Sequence, residues 1–241
     1  MLDLQDVSYQ YRGKFALDGI TLRIEQGGAV AFIGPNGSGK STLFKLMNGL
    51  LFPSRGRYRF DSEEITEDKL KDVAFSRRFH QRIGFVFQNP DTQLFCSSVQ
   101  EEIAFGPHQM GLAESDVNRR VEDCLELLQI KKLRGEHPWN LSGGEKKRVA
   151  IAAVLAMNPD VLVLDEPMNG IDPKGKAFLR ELLLRLHASG KTIVAATHDF
   201  AYVEGIFRRA VVLTEDHRLV RDDEAERVMS DSVFLKQHNI M

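Results

Sequence analysis

Four short stretches of the chain are apolar almost without a break: AVAFI (29–33) and the centres of RIGFVFQ (82–88), DVLVLDEP (160–167) and KTIVAATHD (191–199). A run of this length bounded by glycine or polar residues marks a strand covered on both faces, as in a parallel sheet with helices on each side. After the first, third and fourth runs the spacing changes to that of helices. Helical stretches of the chain include STLFKLMNGLL (41–51), EKKRVAIAAVLAMNPD (145–160) and GKAFLRELLLRLHASG (175–190). The second ends at Asn158 and Pro159 and the third at Gly190, both ordinary helix stops. Ahead of the first run, residues 2–28 alternate apolar and polar side chains in short pieces broken by glycine, which predicts small antiparallel strands. Residues 89–140 hold helical patterns without intervening strands, including ESDVNRRVEDCLELLQI (114–130), and predict a helical subdomain inserted into the α/β core. The end of the chain, DDEAERVMSDSVFLKQHNIM (222–241), reads as an acidic turn and one closing helix.

With 241 residues, 43% of them hydrophobic, the chain suits one domain with an insertion better than two domains. A formal charge of −2 lacks the basic surface of a nucleic-acid binder, so no nucleic-acid partner is expected. Cys96 and Cys124 have neither CxxC spacing nor a neighbouring histidine cluster and are expected to be reduced cytosolic thiols. No apolar run approaches the ~20 residues that span a bilayer, and MLDLQDVSYQ lacks the features of a signal peptide. Any membrane connection is therefore expected to run through another protein.

The chemistry begins at the end of the first strand. Gly34, Pro35, Asn36, Gly37, Ser38, Gly39, Lys40 and Ser41 fit GxxxxGK[ST], with Thr42 next, between a buried strand and a helical pattern. Glycines let backbone N–H groups turn towards phosphate oxygens, and the helix N-terminus adds positive character. Lys40 then reaches the outer phosphates of a nucleotide, and the Ser41 hydroxyl holds Mg2+. A second oxygen for magnesium is expected at the end of another buried strand, where Asp165 stands, acting through water. Glu166 follows it, suited to act as a base on the attacking water. His198 closes the fourth strand. A lone histidine is usually structural, but at the C-terminal edge of a parallel sheet it has the alternative of contacting the terminal phosphate. Gln88 occupies a comparable edge, with an amide able to coordinate Mg2+ or water.

A second glycine-rich stretch, LSGGE (141–145), gives Ser142 as a helix cap and leaves the N–H groups of Gly143 and Gly144 open to an anion. One bound ATP does not need both loops. The ordered set of motifs resembles the ATP-binding cassette (ABC) ATPases along essentially the whole chain. This resemblance implies a RecA-like P-loop core with an antiparallel β subdomain and an inserted helical subdomain. It also implies two chains packed head to tail, each ATP lying between the P-loop of one and the LSGG of the other. By the same resemblance Tyr11 matches the aromatic residue that stacks on adenine, with Tyr9 as competitor. Gln88 matches the Q-loop, Asp165 and Glu166 Walker B and the catalytic carboxylate, Asp172 the D-loop, and His198 the switch histidine. Met168, Asn169, Ile171 and Gly28 depart from the commonest residues without touching the catalytic positions.

FQNPDTQLFCSSVQEEIAFGPHQMGL (87–112) is similar to the same segment of the energy-coupling-factor importers, including those for cobalt and nickel. That likeness implies a second ABC ATPase chain, identical or not, an integral membrane coupling protein, and a membrane protein that captures the solute. It places the chain at the cytoplasmic face of the membrane, with cobalt or nickel as the first cargo and a vitamin such as biotin as the alternative. Leu94 and Phe95 either line a groove for the partner's coupling helix or fill the subdomain core. A soluble ABC ATPase acting on nucleic acid or ribosomes is the competing class. Its relatives usually carry paired cassettes, long arms or basic extensions, which this sequence lacks.

Overall fold

The computed structural model describes residues 1–197 and 205–240. In its first part the elements are β1 (Leu2–Tyr11), β2 (Lys14–Ile24), β3 (Ala29–Ile33), α1 (Lys40–Met47), β4 (Arg55–Phe60), β5 (Glu63–Glu64), α2 (Glu67–Lys71), α3 (Val73–Arg82) and β6 (Ile83–Val86). They are followed by α4 (Val99–Gln109), α5 (Glu114–Leu127), α6 (Gly143–Leu155), β7 (Val161–Asp165), α7 (Pro173–Ala188) and β8 (Thr192–Ala196). After the undescribed stretch come β9 (Arg209–Leu213), β10 (Leu219–Glu224), α8 (Ala225–Ser230) and α9 (Ser232–Gln237).

Two sheets share the work. β2-β1-β4-β5 is antiparallel, and the larger sheet runs β10-β9-β3-β8-β7-β6, parallel except for the β10 edge. The period of two sorts the central strands between two cores. In β3, Ala29, Ala31 and Ile33 join the core shared with α4 to α7, while Val30 and Phe32 join the core under α1 and the antiparallel sheet. β7, β8 and β9 divide in the same way: Leu162, Ile193 and Ala210 go to one side, Val163, Val194 and Val211 to the other. Double burial explains why these strands read as unbroken apolar runs, and it fixes where their C-terminal ends stand.

The four anticipated core strands and the long helices are present, and the chain differs from the reading elsewhere. RAVVL forms β9, a fifth parallel strand beside β3. The end of the chain is not an acidic turn with one helix: Asp222, Asp223 and Glu224 finish strand β10, and α8 and α9 follow. The acidic residues tolerate the sheet edge because they are paired. Arg209 on β9 donates to both Asp222 carboxylate oxygens at 2.6 Å, and Arg221 reaches Asp231 at 2.9 Å. α2 and α3 fill residues 67–82, capped by Thr66 and Asp72, whose side chains accept from Lys69 N and Phe75 N.

Tyr58 locks the antiparallel sheet to the base of α1. Its ring is buried and its hydroxyl donates to the Met47 carbonyl at 2.7 Å. Tyr58→Phe keeps the ring but leaves that carbonyl without its partner. Urea unfolding is expected to show a loss of about 1–3 kcal/mol, and an unchanged midpoint would deny the contact any role.

Candidate active site

The P-loop is held by backbone contacts before any side chain acts. Gly34 (φ 157) and Gly39 (φ 104) bracket it, and a Cβ on either would collide with a carbonyl oxygen, Leu213 O for the first and Ala16 O for the second. The loop is thus wedged between the end of β9 and the start of β2. It delivers α1 with Gly39 at its N-cap, no side-chain cap and no acidic residue in the first turn. The first N–H groups of α1 are therefore left for an anion from outside the chain.

Asn36, Gly37, Gly39, Lys40, Ser41, Thr42, Gln88, Asp165 and Glu166, with Ala16, line one cavity of about 360 Å3. Three buried charged side chains meet there. Lys40 Nζ donates to Gly34 O at 2.7 Å and Pro35 O at 2.9 Å. Burial lowers its pKa below the ordinary lysine value, against the attraction of Glu166 and Asp165. Burial raises the Asp165 pKa, countered by the neighbouring Ser41 hydroxyl and by Lys40, Lys147 and Lys45. A hydroxyl and a carboxylate facing one cavity at a buried strand end form the hard oxygen set that suits Mg2+. The residues present therefore fit that ion.

Glu166 has φ 48, a left-handed conformation that costs a non-glycine residue about 1–3 kcal/mol. The turn breaks the alternation of β7, so Asp165 and Glu166 both reach the cavity from successive positions. Its N–H still donates to Ala196 O at 3.2 Å, which anchors the turn to β8.

Other expected residues stand apart from this cavity. Tyr11 lies at the β1–β2 turn, paired with Lys14, partly exposed, its ring 4.9 Å from that of Tyr9 in an edge-on contact. Ser142 caps α6 in a capping box: Glu145 N donates to its hydroxyl, and Ser142 N donates to Glu145 Oε2 at 2.9 Å. Among the described residues, a Cβ on Gly143 or Gly144 would meet nothing within 4 Å beyond its chain neighbours and the helix's own backbone. Asp172 caps α7, accepting from Gly175 N at 3.0 Å. Ser38 is buried within the loop itself, its hydroxyl without a hydrogen-bond partner among the described residues. His198 lies outside the described residues.

Sequence reasoning missed Lys147. This lysine of α6 is 2% exposed and donates to Gln88 O at 2.6 Å and Phe87 O at 3.4 Å. Burial pushes its pKa down to about 8, against attraction from Asp165 and Glu166. In the sequence it sits within EKKR, which reads as a solvated face.

Behind Gln88, a groove of about 500 Å3 runs between α3 and α4, lined among others by Val73, Arg77, Phe95, Phe105 and Met157. Leu94 is buried in the core, while Phe95 is 64% exposed and lines this groove.

Residues 17–169 match the family described as ABC transporter. The chain belongs to that family. As an ABC ATPase it hydrolyses ATP in step with transport. It is 45% identical to the nickel import ATP-binding protein LarO of Lactiplantibacillus plantarum, over 100% of this chain and 99% of that protein. It is 39% identical to the energy-coupling factor transporter ATP-binding protein EcfA of Methanococcus maripaludis, over 100% of this chain and 85% of that one. Among solved structures it resembles a dimeric post-hydrolysis state of the ATP-binding cassette MJ0796 bound to ADP and Pi. That match has a TM-score of 0.84 and 28% identity, covering 93% of this chain and 99% of the other. No helix among the described residues is long and apolar enough to cross a membrane.

The buried lysine of this ABC ATPase carries a pH signature. Between the folded value of about 8 and the ordinary 10.5, the unfolded chain binds more protons, so stability rises with pH in that window. Below it both states are protonated and the penalty is complete. Relative to Lys147→Met, the unaltered protein is expected to gain thermal stability as pH rises from about 8 towards 10.5. Parallel melting curves across that range would contradict a charged, buried Lys147.

Proposed function

We propose that the chain is the ATP-hydrolysing subunit of an energy-coupling-factor importer for nickel or cobalt ions. The observation that carries the ATPase part is one cavity that brings Lys40 and Ser41 at the start of α1 together with Gln88, Asp165 and Glu166 from two other strand ends. Phosphates of ATP take the N–H groups of residues 34–42 and the Lys40 ammonium. Ser41 and Asp165, with Gln88, hold Mg2+, which supplies Lewis-acid neutralisation of the phosphoryl charge. Glu166 accepts the proton of the attacking water, and His198 orients that water. Tyr11 stacks on adenine.

Ser142, Gly143 and Gly144 complete the site of a second such chain, with Asp172 at the same junction. The absence of any close neighbour at the two glycines among the described residues supports this, because those residues leave the space in front of them open. The segment 89–140 acts as the inserted helical subdomain and, with α3, forms a groove whose exposed Val73, Phe95 and Phe105 suit an amphipathic helix of an integral coupling protein. A membrane protein that captures the ion completes the complex, and this chain sits on its cytoplasmic side. Likeness to EcfA favours the importer class, and likeness to LarO over the full length favours the metal cargo.

Glu166→Gln is expected to bind ATP normally and to lower kcat about a hundredfold or more; ordinary turnover by this variant would move the base elsewhere. Because the signature acts across two chains, specific activity should climb with protein concentration, and a flat dependence through the dilutions that separate the chains contradicts the sandwich. Isolation of the tagged chain from membranes in mild detergent should bring an integral coupling protein and a small solute-capture protein with it. Recovery with only soluble proteins or nucleic acid would overturn the importer assignment.

A further inference from the structure

The segment that follows β6 is laced to α6 by side chains that reach across in both directions. Lys147 on α6 donates to the carbonyls of Gln88 and Phe87. Gln93 replies from the loop: its Nε2 donates to Ala150 O on α6 at 3.1 Å, and its Oε1 accepts from Phe87 N at 3.1 Å. Lys146, next to Lys147, pairs with Asp91 at 2.7 Å. Carrying an ammonium into a site this enclosed is costly, and the carbonyls it satisfies would otherwise be buried without a donor.

These contacts join two places that matter for different reasons. The Gln88 side chain lines the phosphate cavity, while its own carbonyl is held by Lys147. The same helix begins at the Ser142 cap, one turn and a little more ahead of Lys147. Lys147 itself is not among the residues that line the cavity. Its contacts run to backbone, where they fix the loop and leave the Gln88 amide free to answer the nucleotide.

We propose that Lys147 is a positioning residue that clamps the backbone of Gln88 to α6, so that a shift of Gln88 on nucleotide binding moves the signature loop at the start of that helix. The inference rests on the ATPase reading above. It gives one chain a rigid connection between the site it fills with its own P-loop and the loop it offers to its partner. Coupling of this kind is a difference in free energy between two arrangements of one packed unit. Loss of the clamp therefore leaves nucleotide binding in place and separates it from turnover.

The test uses the full-length chain and Lys147→Met, with equilibrium binding of a fluorescent ATP analogue beside steady-state hydrolysis over a range of ATP concentrations. The expected result is affinity within about twofold of the unaltered protein, kcat lower by about tenfold or more, and loss of sigmoidal dependence on ATP. Gln93→Met removes the reply from the loop and is expected to act in the same direction. It also serves as the probe if Lys147→Met does not fold. The double variant should lose no more kcat than the worse single variant, because both cut one connection. Unchanged kcat and cooperativity in Lys147→Met, or strictly additive losses in the double variant, overturn the clamp. So does a loss of affinity that matches the loss of turnover, since that would make Lys147 part of the phosphate site. Absence of hydrolysis by the unaltered chain overturns the ATPase reading and this inference with it. Normal hydrolysis by both unaltered chain and Lys147→Met overturns the inference alone.

Discussion

The whole arrangement hangs on a backbone wedge. At Gly34 and Gly39 the phosphate loop passes so close to the carbonyls of Leu213 and Ala16 that neither position has room for a side chain. One of those carbonyls belongs to the large parallel sheet and the other to the antiparallel sheet, so the loop takes its shape from both cores at once. Preorganised backbone donors are useful to a polyanion only if they do not have to be gathered when it arrives. Here the gathering is done by folding, and the cost of holding the loop is spread over two hydrophobic layers and the Lys40 ammonium that bonds its first carbonyls.

Around that loop the chain concentrates charges that it would avoid anywhere else. Lys40, Lys147, Asp165 and Glu166 are all nearly inaccessible, and burial is the leading influence on the titration of Lys40, Lys147 and Asp165. Two lysines and two carboxylates offset one another well enough to remain in the fold. Glu166 adds backbone strain to the same small volume, at the point where β7 gives way to the turn. Stability has been given up locally in a site whose chemistry requires dry, oriented charge.

How much of this was legible depended on which physical constraint wrote each segment. Strand β3 is buried on both faces and could only be apolar throughout, so it announced itself. Strand β9 carries the same kind of run, RAVVL, and went unread because no motif is attached to it. β10 lies at an edge, where Arg209 and Asp222 make a charged strand acceptable; its acidic end therefore looked like a turn. In α2 no residue is buried, and in α3 only Phe79 is, so neither had an apolar stripe, although the caps at Thr66 and Asp72 were there to be found. The phosphate loop and Asp165 were legible because their chemistry demands fixed residue types at fixed spacing. Lys147 was not, since its role depends on carbonyls 59 and 60 positions away.

The empty space in front of Gly143 and Gly144 bears on how this chain would fare under redesign. Among the described residues neither glycine is needed by its own fold: an added methyl group would meet no atom within 4 Å beyond its chain neighbours and the helix's own backbone, and neither backbone is left-handed. Both sit in the first turn of α6, where alanine is the better helix former. An optimiser shown only the isolated chain would write alanine at both places and score an improvement. If the proposed head-to-tail pairing holds, that improved monomer would have lost the surface by which it recognises its partner's nucleotide, and no measurement of its own folding would reveal the damage.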